Sequence, residues 1–202
     1  REKYDCADEA SLSGRPTTEK PLILAVGRLV ARKGFMTLLR AMPMVLATIP
    51  GARLVIVGRG HMKKKLRKTA RKLGIEHAVK IRSGMSFEDL AQLFRTADLA
   101  AYPSYYEGQG LIPLEAMASG TPVVTVDHGP LPEMVDASVG RLYTLGKVES
   151  LAQAIIAELQ SSVTMASKAK AGRERVLNRF TFDHNADDFT EIYLTAISAN
   201  HT

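Results

Sequence analysis

Apolar runs and segments of helical spacing alternate along most of the chain. Continuous apolar runs are typical of strands buried on both faces of a parallel sheet. The sequence predicts strands at 22–26, 54–57, 79–82, 99–102 and 123–126, and a short one near 139–143. Apolar residues three or four apart predict helices at 35–46, 62–73, 86–94 and 111–118, and a helical chain from Ser150 onward.

This alternation predicts an α/β fold: a doubly wound, mostly parallel, Rossmann-like sheet flanked by helices, with further helices at its C-terminal end. Residues 1–20 mix charges with Ser, Gly and Thr and show no period, so we expect an N-terminal linker or interdomain segment. Residues 21–180 form the predicted sheet domain, and 181–202 a C-terminal helix. Pro43 falls inside the first helix, which we expect to kink or break there.

Candidate binding residues follow several of the predicted strands. In doubly wound sheets, ligands bind beyond the carboxyl ends of the strands. The residues found at those ends are Gly27, Arg28, Gly58, Arg59, Arg82, Ser83 and the stretch 104–110. Because parallel strands end at one edge of the sheet, these residues predict a single site.

Residues 105–116 combine a strand end, a glycine-rich turn and a helix start. Such a turn exposes backbone N–H groups at the positive end of a helix, which suits a phosphate. Glu107 and Glu115 lie on either side of the turn and would repel a phosphate. Ionised carboxylates are hydrogen-bond acceptors, so they suit sugar hydroxyls better. For Glu115 alone, a favourable interaction with the helix dipole is the alternative.

Arg28 and Lys33 lie five residues apart in the turn after the first predicted strand. Two cations there could clamp a diphosphate and neutralise charge that builds on it when a glycosidic bond breaks. Two solvated surface cations are the alternative, but their position at a strand end favours function. Arg32 fits the solvated interpretation better.

The run Glu107-Gly108-Gln109-Gly110-Leu111, followed by Glu115, resembles the Glu-(seven residues)-Glu signature of retaining GT-B glycosyltransferases of family four. Blocks at 26–34, 55–60 and 118–124 resemble the same family in its order. The resemblance covers essentially the whole chain but only one half of the family's protein. It implies the C-terminal, donor-binding domain, with the N-terminal acceptor domain missing from this chain.

The resemblance implies a role for each matching residue. Arg28, Lys33 and Glu107 would be catalytic, with Glu107 holding a hydroxyl of the transferred sugar and Glu115 accepting from the ribose hydroxyls. The donor-binding residues would be Gly27, Gly58, Arg59, Arg82, Ser83, Gly108, Gln109, Gly110, Leu111 and Glu115. Gln109 departs from the bulky apolar residue that is more common there. The donor is a UDP-, GDP- or ADP-sugar, and no cofactor is expected.

Composition narrows the remaining possibilities. A single cysteine, Cys6, excludes an internal disulfide and a cysteine-rich metal site and fits a cytoplasmic protein. The five histidines lack metal-ligand spacing and no Asp-x-Asp occurs, so we expect no bound metal and metal-independent transfer. No apolar run approaches the roughly 20 residues of a membrane helix. The first residue, Arg1, suggests a fragment.

The net charge of +6 predicts an anionic partner. Seven cations between residues 63 and 72 surround the apolar stripe of one predicted helix, and a solvated outer face is the default interpretation. An anionic membrane surface, with peripheral attachment on its cytoplasmic side, is the functional alternative. No aromatic interleaving accompanies the charge, so nucleic acid is not expected.

The leading hypothesis is therefore the donor half of a retaining hexosyltransferase, which transfers sugar to a sugar or lipid-linked acceptor and is inactive as this chain alone. A GT-B-like sugar epimerase or phosphorylase is the second hypothesis. A non-catalytic nucleotide-sugar binding module is the third, and a nucleic-acid-binding domain built on the basic helix is the fourth.

Overall fold

The protein is described by a computed structural model that covers residues 20–160 and 162–199, with side chains omitted for 162–165. Six parallel strands form one sheet in the order β3-β2-β1-β4-β5-β6. The strands are β1 Leu22–Val26, β2 Arg53–Val57, β3 Val79–Arg82, β4 Leu99–Tyr102, β5 Val123–Val126 and β6 Gly140–Tyr143. Each predicted strand is confirmed to within one residue. The predicted linker lies outside the described residues except for Lys20, as does Cys6.

Helices connect the strands and cover both faces of the sheet. They are α1 Phe35–Thr48, α2 Lys63–Lys72, α3 Phe87–Thr96, α4 Leu111–Ala118, α5 Leu131–Met134, α6 Val148–Leu159, α7 Ser162–Arg179 and α8 Phe182–Ala199. The Ser86 hydroxyl accepts a hydrogen bond from the Asp89 N–H at 3.1 Å and so caps the N-terminus of α3. Together the helices and strands confirm the doubly wound, Rossmann-like fold.

Of the kink or break expected at Pro43, the break does not occur, because α1 continues through it to Thr48. An interior proline costs a helix about 3 kcal/mol. Five apolar side chains of α1 are buried on one face: Phe35, Leu38, Leu39, Met42 and Val45. Since burying each one contributes roughly 1.5–3 kcal/mol, the packing outweighs the lost hydrogen bond.

Alternate residues of the central strands enter two separate cores. In β1, Ile23 packs with the side of the sheet that α1, α2 and α6 cover, whereas Leu24 packs with the side that contains α3 and α4. Both residues are fully buried. A strand with helices on both faces has no solvent side, which is why its sequence is apolar throughout.

The strand order reverses between β1 and β4, which are neighbours although two strands separate them in sequence. The helices that follow β1 and β4, α1 and α4, therefore lie on opposite faces of the sheet, and the two strands end side by side at its carboxyl edge. Such a switch point is the usual ligand site of doubly wound sheets.

The last helix, α8, has no buried residue. Its apolar side chains are more than half exposed, among them Phe189, Ile192 and Tyr193. Within the described part of the chain, no helix is both long enough and apolar enough to cross a membrane.

A buried ion pair joins α6, α7 and β6. The Lys168 ammonium lies 2.8 Å from the Glu158 carboxylate, and the two side chains are only 8% and 1% exposed. Lys168 also donates to the backbone carbonyl of Gly140 at 3.2 Å. Both side chains are almost completely removed from water, so Lys168 depends on Glu158 for its solvation. Glu158 has a second cationic partner, because the partly exposed Arg141 lies 3.3 Å from the same carboxylate oxygen.

We expect Lys168→Ala to lower the free energy of unfolding by about 3–5 kcal/mol, because it leaves the Glu158 carboxylate buried without this partner. Lys170→Ala is the matched control: this lysine lies two residues along the same helix and is exposed. The control should change stability by about 0.5 kcal/mol or less. Urea unfolding followed by circular dichroism measures the free energy of unfolding of both variants. Equal losses of stability would show that the buried ion pair does not stabilise the fold.

Candidate functional site

The loops that follow β1, β2 and β3 meet at the carboxyl edge of the sheet. The Gly58 N–H donates to the Arg82 carbonyl at 2.9 Å, and the Leu29 N–H donates to the Arg59 carbonyl at 2.8 Å. A Cβ atom on Gly58 would lie 1.8 Å from the Gly27 carbonyl oxygen, so only glycine fits there. The structure thus brings Gly27, Gly58, Arg59 and Arg82 together, as the strand ends predict.

The loop after β1 also packs against the loop after β4. Residues Ala31–Lys33 form a 3₁₀ turn that ends at Gly34 with φ of +68°. A Cβ atom on Gly34 would lie 1.8 Å from the Pro103 carbonyl oxygen. The Arg32 carbonyl accepts hydrogen bonds from the Tyr105 N–H at 2.7 Å and from the Ser104 hydroxyl at 3.2 Å. The two loops of the switch point are therefore fixed to each other by backbone groups.

Lys33 and Glu107 form the centre of the site. The Lys33 ammonium lies 2.5 Å from a Glu107 carboxylate oxygen and donates to the Tyr102 hydroxyl at 2.8 Å. Both charged side chains are close to 90% buried. The Ser104 hydroxyl also donates to Glu107. Two residues that the sequence places 74 positions apart as candidate catalytic groups are thus in direct contact.

The surroundings fix the charge of this cluster. Burial raises the pKa of the Glu107 carboxyl, but hydrogen bonds from Lys33 and from the Ser104 and Tyr102 hydroxyls outweigh it, and the pKa falls below its usual value. Burial, and then the hydrogen bond to Glu107, raise the pKa of Tyr102 well above its usual range. Near neutral pH the carboxylate is therefore ionised and the phenol keeps its proton.

The glycine-rich turn leads into α4 as predicted. Gly110 is the N-cap residue with φ of +84°, and no side chain caps the helix. Pro113 is the third residue of α4 and has no N–H, so the unbonded donors of the first turn belong to Leu111 and Ile112. Gly108 and Gln109 are exposed beside them. This helix start offers backbone donors and a positive dipole end.

Glu115 lies one turn into α4 and is half-buried. Its charge is close enough to Tyr102 to help raise the pKa of that phenol, as does Glu107. The two predicted carboxylates therefore belong to one electrostatic environment around Tyr102, at the same edge of the sheet.

Arg28 and the residues at the end of β3 lie at the same edge of the sheet as the Lys33–Glu107 centre. Arg28 is exposed on the same loop as Lys33. The Ser83 hydroxyl accepts a hydrogen bond from the Lys63 ammonium at 2.7 Å. Together with Arg82 they line a hollow of about 630 Å³ beside the start of α3. Arg82 and Ser83 thus lie at the end of β3, two strands away from β1, and not within the Lys33–Glu107 centre.

Three contributors were not expected from the sequence: Tyr102, Lys63 and the backbone carbonyl of Arg32. Tyr102 is the last residue of a strand that is apolar throughout, and its hydroxyl gives no periodic signal. Arg32 was assigned to solvent, and its side chain is indeed exposed, yet its carbonyl joins the two loops. A hydroxyl side chain at the end of a buried strand could have indicated a residue of the site, since a buried hydroxyl needs a hydrogen-bond partner.

Among residues 20–160 and 162–199, no group of three or more His, Cys, Asp or Glu side chains could hold a metal ion. The charges of the site are instead an exposed arginine, a buried lysine and two carboxylates, beside a helix start. This arrangement offers donors and cations to a phosphate, and acceptors to hydroxyl groups.

The fold and the site define a Rossmann-like domain of the GT-B glycosyltransferase class. The family model of the glycosyl transferases group 1 matches residues 8–175, and the chain belongs to that family. A glycogen synthase of Mycobacterium tuberculosis is 33% identical over 197 residues, which are 97% of this chain and 48% of that protein. The chain thus spans about half the length of the curated relatives it matches.

Two further relatives agree with this assignment. A GDP-mannose-dependent monoacylated alpha-(1-6)-phosphatidylinositol monomannoside mannosyltransferase of Corynebacterium glutamicum is 32% identical, over 87% of this chain and 48% of that protein. The solved sucrose-phosphate synthase of Thermosynechococcus elongatus superposes with a TM-score of 0.79 at 31% identity, covering 91% of this chain and 47% of that one. Glycosyltransferases with different names therefore share this domain.

The lowered pKa of Glu107 predicts the sign of its effect on stability. A carboxyl whose pKa is lower in the folded state than its ordinary 4.5 binds fewer protons when folded, so its stabilising effect is full above that value. The effect is lost as the pH falls from there through the folded pKa. We therefore expect the free energy of unfolding of Glu107→Gln to decline less steeply below pH ~4.5 than that of the wild type.

Urea titrations at a series of acidic pH values measure this slope. Glu149→Gln, at an exposed carboxylate of α6, is the matched control and should follow the wild-type curve. Parallel curves for Glu107→Gln and wild type would contradict the ion pair with Lys33.

Proposed function

We propose that this chain binds the nucleotide-diphosphate sugar of a retaining glycosyltransferase and forms its C-terminal, donor-binding half. The observation that carries the proposal is the contact of Lys33 with Glu107 at the switch point, beside the uncapped start of α4. The cation of Lys33, the carboxylate of Glu107 and the backbone N–H groups of α4 lie at one edge of the sheet. Each of them has a natural partner in a sugar diphosphate.

In this proposal the diphosphate lies against the first turn of α4, where Leu111 and Ile112 supply N–H groups. Arg28 and Lys33 neutralise its charge, and Glu115 accepts hydrogen bonds from the ribose hydroxyls. The base then extends toward β3, where Gly58, Arg59, Arg82 and Ser83 lie. Gly27, Gly108, Gln109 and Gly110 let the ligand approach the backbone closely.

Glu107 receives a hydroxyl of the transferred sugar. Its carboxylate is held by Ser104 and Tyr102 as well as by Lys33. Lys33 can therefore turn toward a phosphate oxygen without leaving Glu107 unsolvated, because two hydroxyl donors remain. A buried carboxylate with preset donors loses little freedom on binding, which favours a defined sugar orientation.

Transfer begins when the bond between the anomeric carbon and the phosphate oxygen breaks and the electron pair stays on the diphosphate. Arg28, Lys33 and the α4 start stabilise that negative charge electrostatically. The acceptor hydroxyl then bonds through its oxygen to the carbon from the same face, which retains the configuration, and its proton passes to the phosphate oxygen that has left. In this mechanism the cations take the role that a metal ion fills in GT-A enzymes, so we propose metal-independent transfer.

The acceptor and the opposite wall of the cleft belong to the part of the family's protein that this chain does not span. The names of two relatives specify a glycogen synthase and a transferase that acts on a phosphatidylinositol mannoside. A sugar or a lipid-linked sugar is accordingly the proposed acceptor. UDP, GDP and ADP are the proposed carriers.

A thermal-shift panel of UDP, GDP and ADP tests donor binding. At 100 times its dissociation constant, a ligand adds about 2.7 kcal/mol of stability, which is roughly 5–10 °C for a domain of this size. We expect one base to stand out. Glu115→Ala removes charge-assisted hydrogen bonds worth about 2 kcal/mol, so at the same concentration its stabilisation should fall to about 1 kcal/mol.

The controls separate ribose recognition from general damage. Glu191→Ala removes an exposed carboxylate from α8 and should keep the full response. The 2′,3′-dideoxy form of the preferred nucleotide should bind wild type and Glu115→Ala equally weakly, because the contact is then missing in both. The response should be the same with Mg²⁺ as with excess EDTA. An undiminished response of Glu115→Ala would overturn the ribose assignment.

We further expect the isolated chain to bind nucleotide but to transfer no sugar, because one wall of the cleft is missing. Product formation from a radiolabelled donor and simple glycoside acceptors measures this. Turnover above the rate of donor hydrolysis would show that the acceptor site lies on this chain.

A further inference from the structure

The basic character of the protein is concentrated in one short segment. Residues 63–82 contain a single carboxylate, Glu76, and nine cations: Lys63, Lys64, Lys65, Arg67, Lys68, Arg71, Lys72, Lys80 and Arg82. Nine positive charges and one negative give this segment +8, whereas the whole chain is +6. All other residues together therefore sum to −2, and the excess positive charge is a local feature.

The fold turns this charge outward. Leu66 and Ala70 are buried against the sheet and anchor α2. The exposed cations of α2 are Lys64, Lys65, Arg67, Lys68, Arg71 and Lys72. At 3.6 residues per turn, they cover an arc of about 160° around the helix. The solvent side of α2 is thus positive over its full width, and we call this surface, with Lys80 and Arg82, the basic face.

The neighbouring strand extends the basic face. β3 is an edge strand of the sheet, and its exposed side chains are Lys80 and Arg82. Together with Arg67 and Arg71 they line a hollow of about 390 Å³ between α2 and the sheet edge. Glu76 lies 3.9 Å from Arg71, but both side chains are more than 60% exposed, so this pair offsets little of the charge.

Helix stability does not account for this pattern. No acidic residue lies in the first turn of α2, and three lysines there oppose the helix dipole. Like charges also face each other four residues apart in the pairs 63/67, 64/68, 67/71 and 68/72. Each such pair costs about 0.2–0.5 kcal/mol. Cations on edge strands do prevent unwanted strand pairing, but the seven on α2 are not on an edge.

We propose that the basic face binds the surface of an anionic lipid bilayer. Clusters of four to eight Lys and Arg residues on a helix are typical of proteins that bind anionic lipid surfaces. The apolar side of α2 is already buried in the domain, so the helix lies on the headgroups and is held by charge alone. Six of the nine cations are lysines, which interact as point charges with a diffuse field.

Nucleic acid fits the basic face less well than a bilayer does. Single strands are bound in grooves that carry aromatic side chains for base stacking. The basic face is convex over α2, and neither α2 nor β3 contains an aromatic residue. Arginine, which forms paired hydrogen bonds with phosphates, is the minority cation here.

The basic face adjoins the candidate site. α2 begins directly after the β2 loop, and its first residue, Lys63, donates to Ser83 beside β3. A chain bound through α2 would therefore hold the carboxyl edge of its sheet close to the headgroups. The four lysines tested below lie outside the proposed nucleotide contacts, so this inference can fail while the proposed function stands.

Cosedimentation of the full chain with phosphatidylcholine vesicles, with and without phosphatidylserine, tests the proposal. The test variant combines Lys64→Gln, Lys65→Gln, Lys68→Gln and Lys72→Gln. The control combines Arg40→Gln, Lys147→Gln, Lys170→Gln and Arg179→Gln, four exposed cations on other elements. Each removes four charges from +6, so both variants have a net charge of +2. Any difference between them reports position rather than net charge.

Wild type and control are expected to bind only the vesicles that contain phosphatidylserine, and to release them as salt is raised. The test variant should bind on the order of 600-fold more weakly, because each of its four lysines contributes about fivefold at an anionic surface. Nucleotide-induced thermal shifts should be equal in all three proteins, which also shows that the variants are folded.

Three results would overturn the inference. Equal vesicle binding by the test variant and the control would show that net charge alone is responsible. Binding of wild type to pure phosphatidylcholine would show a different mode of attachment. Tighter binding to a DNA duplex or single-stranded RNA than to the anionic vesicles, lost in the test variant, would make the basic face a nucleic-acid surface. If the test variant unfolds, Lys64→Gln with Lys68→Gln and the salt titration of wild type decide the question.

Discussion

The ammonium of Lys33 and the carboxylate of Glu107 lie 2.5 Å apart where almost no water reaches them. Removing two charges from water is expensive, and their attraction compensates only when the geometry is good and further hydrogen bonds are present. Tyr102 and Ser104 supply those bonds. The geometry, in turn, depends on the close approach of two loops, which Gly34 permits and the Arg32 carbonyl maintains. At the switch point, backbone contacts between the two loops therefore form a frame that fixes the position of the buried ion pair.

This frame explains how a site for an anionic ligand can contain two carboxylates. Glu107 repels a phosphate only if its charge is unbalanced, and Lys33 balances it at contact distance. Backbone N–H groups at the start of α4 provide donors without a further cation, while the charge of Glu115 also acts on the Tyr102 phenol. The site thus has donors and a cation that suit a phosphate, and, a few side chains away, carboxylates that suit hydroxyl groups. A ligand that carries both kinds of group matches this division better than either a free phosphate or a neutral sugar.

The sheet could be predicted from the sequence because strands buried on both faces are apolar at every position, and the six strands match to within one residue. The candidate residues at the strand ends were predictable for the same reason, since the carboxyl ends of parallel strands share one edge. The contacts within the site were not. Lys33 and Tyr102 are 69 residues apart, and no local pattern reveals which rotamer joins them. The break expected at Pro43 does not occur, because burial of the apolar face of α1 contributes several times the free energy that the proline costs.

In the two proposals, lysines would interact with anionic partners in physically different ways. Lys33 is almost completely removed from water, so its interactions are strong and weakly screened by salt, and they depend on ångström-scale geometry. The lysines of α2 are hydrated and mobile, and beyond a Debye length of about 8 Å their field is largely screened. A buried cation can therefore select a chemical group, whereas an exposed set can only sense the density of charge on a surface. α2 and α1, the helix that follows Lys33, pack on the same face of the sheet, and the four lysines of α2 chosen to test the proposed membrane contact lie outside the proposed nucleotide contacts.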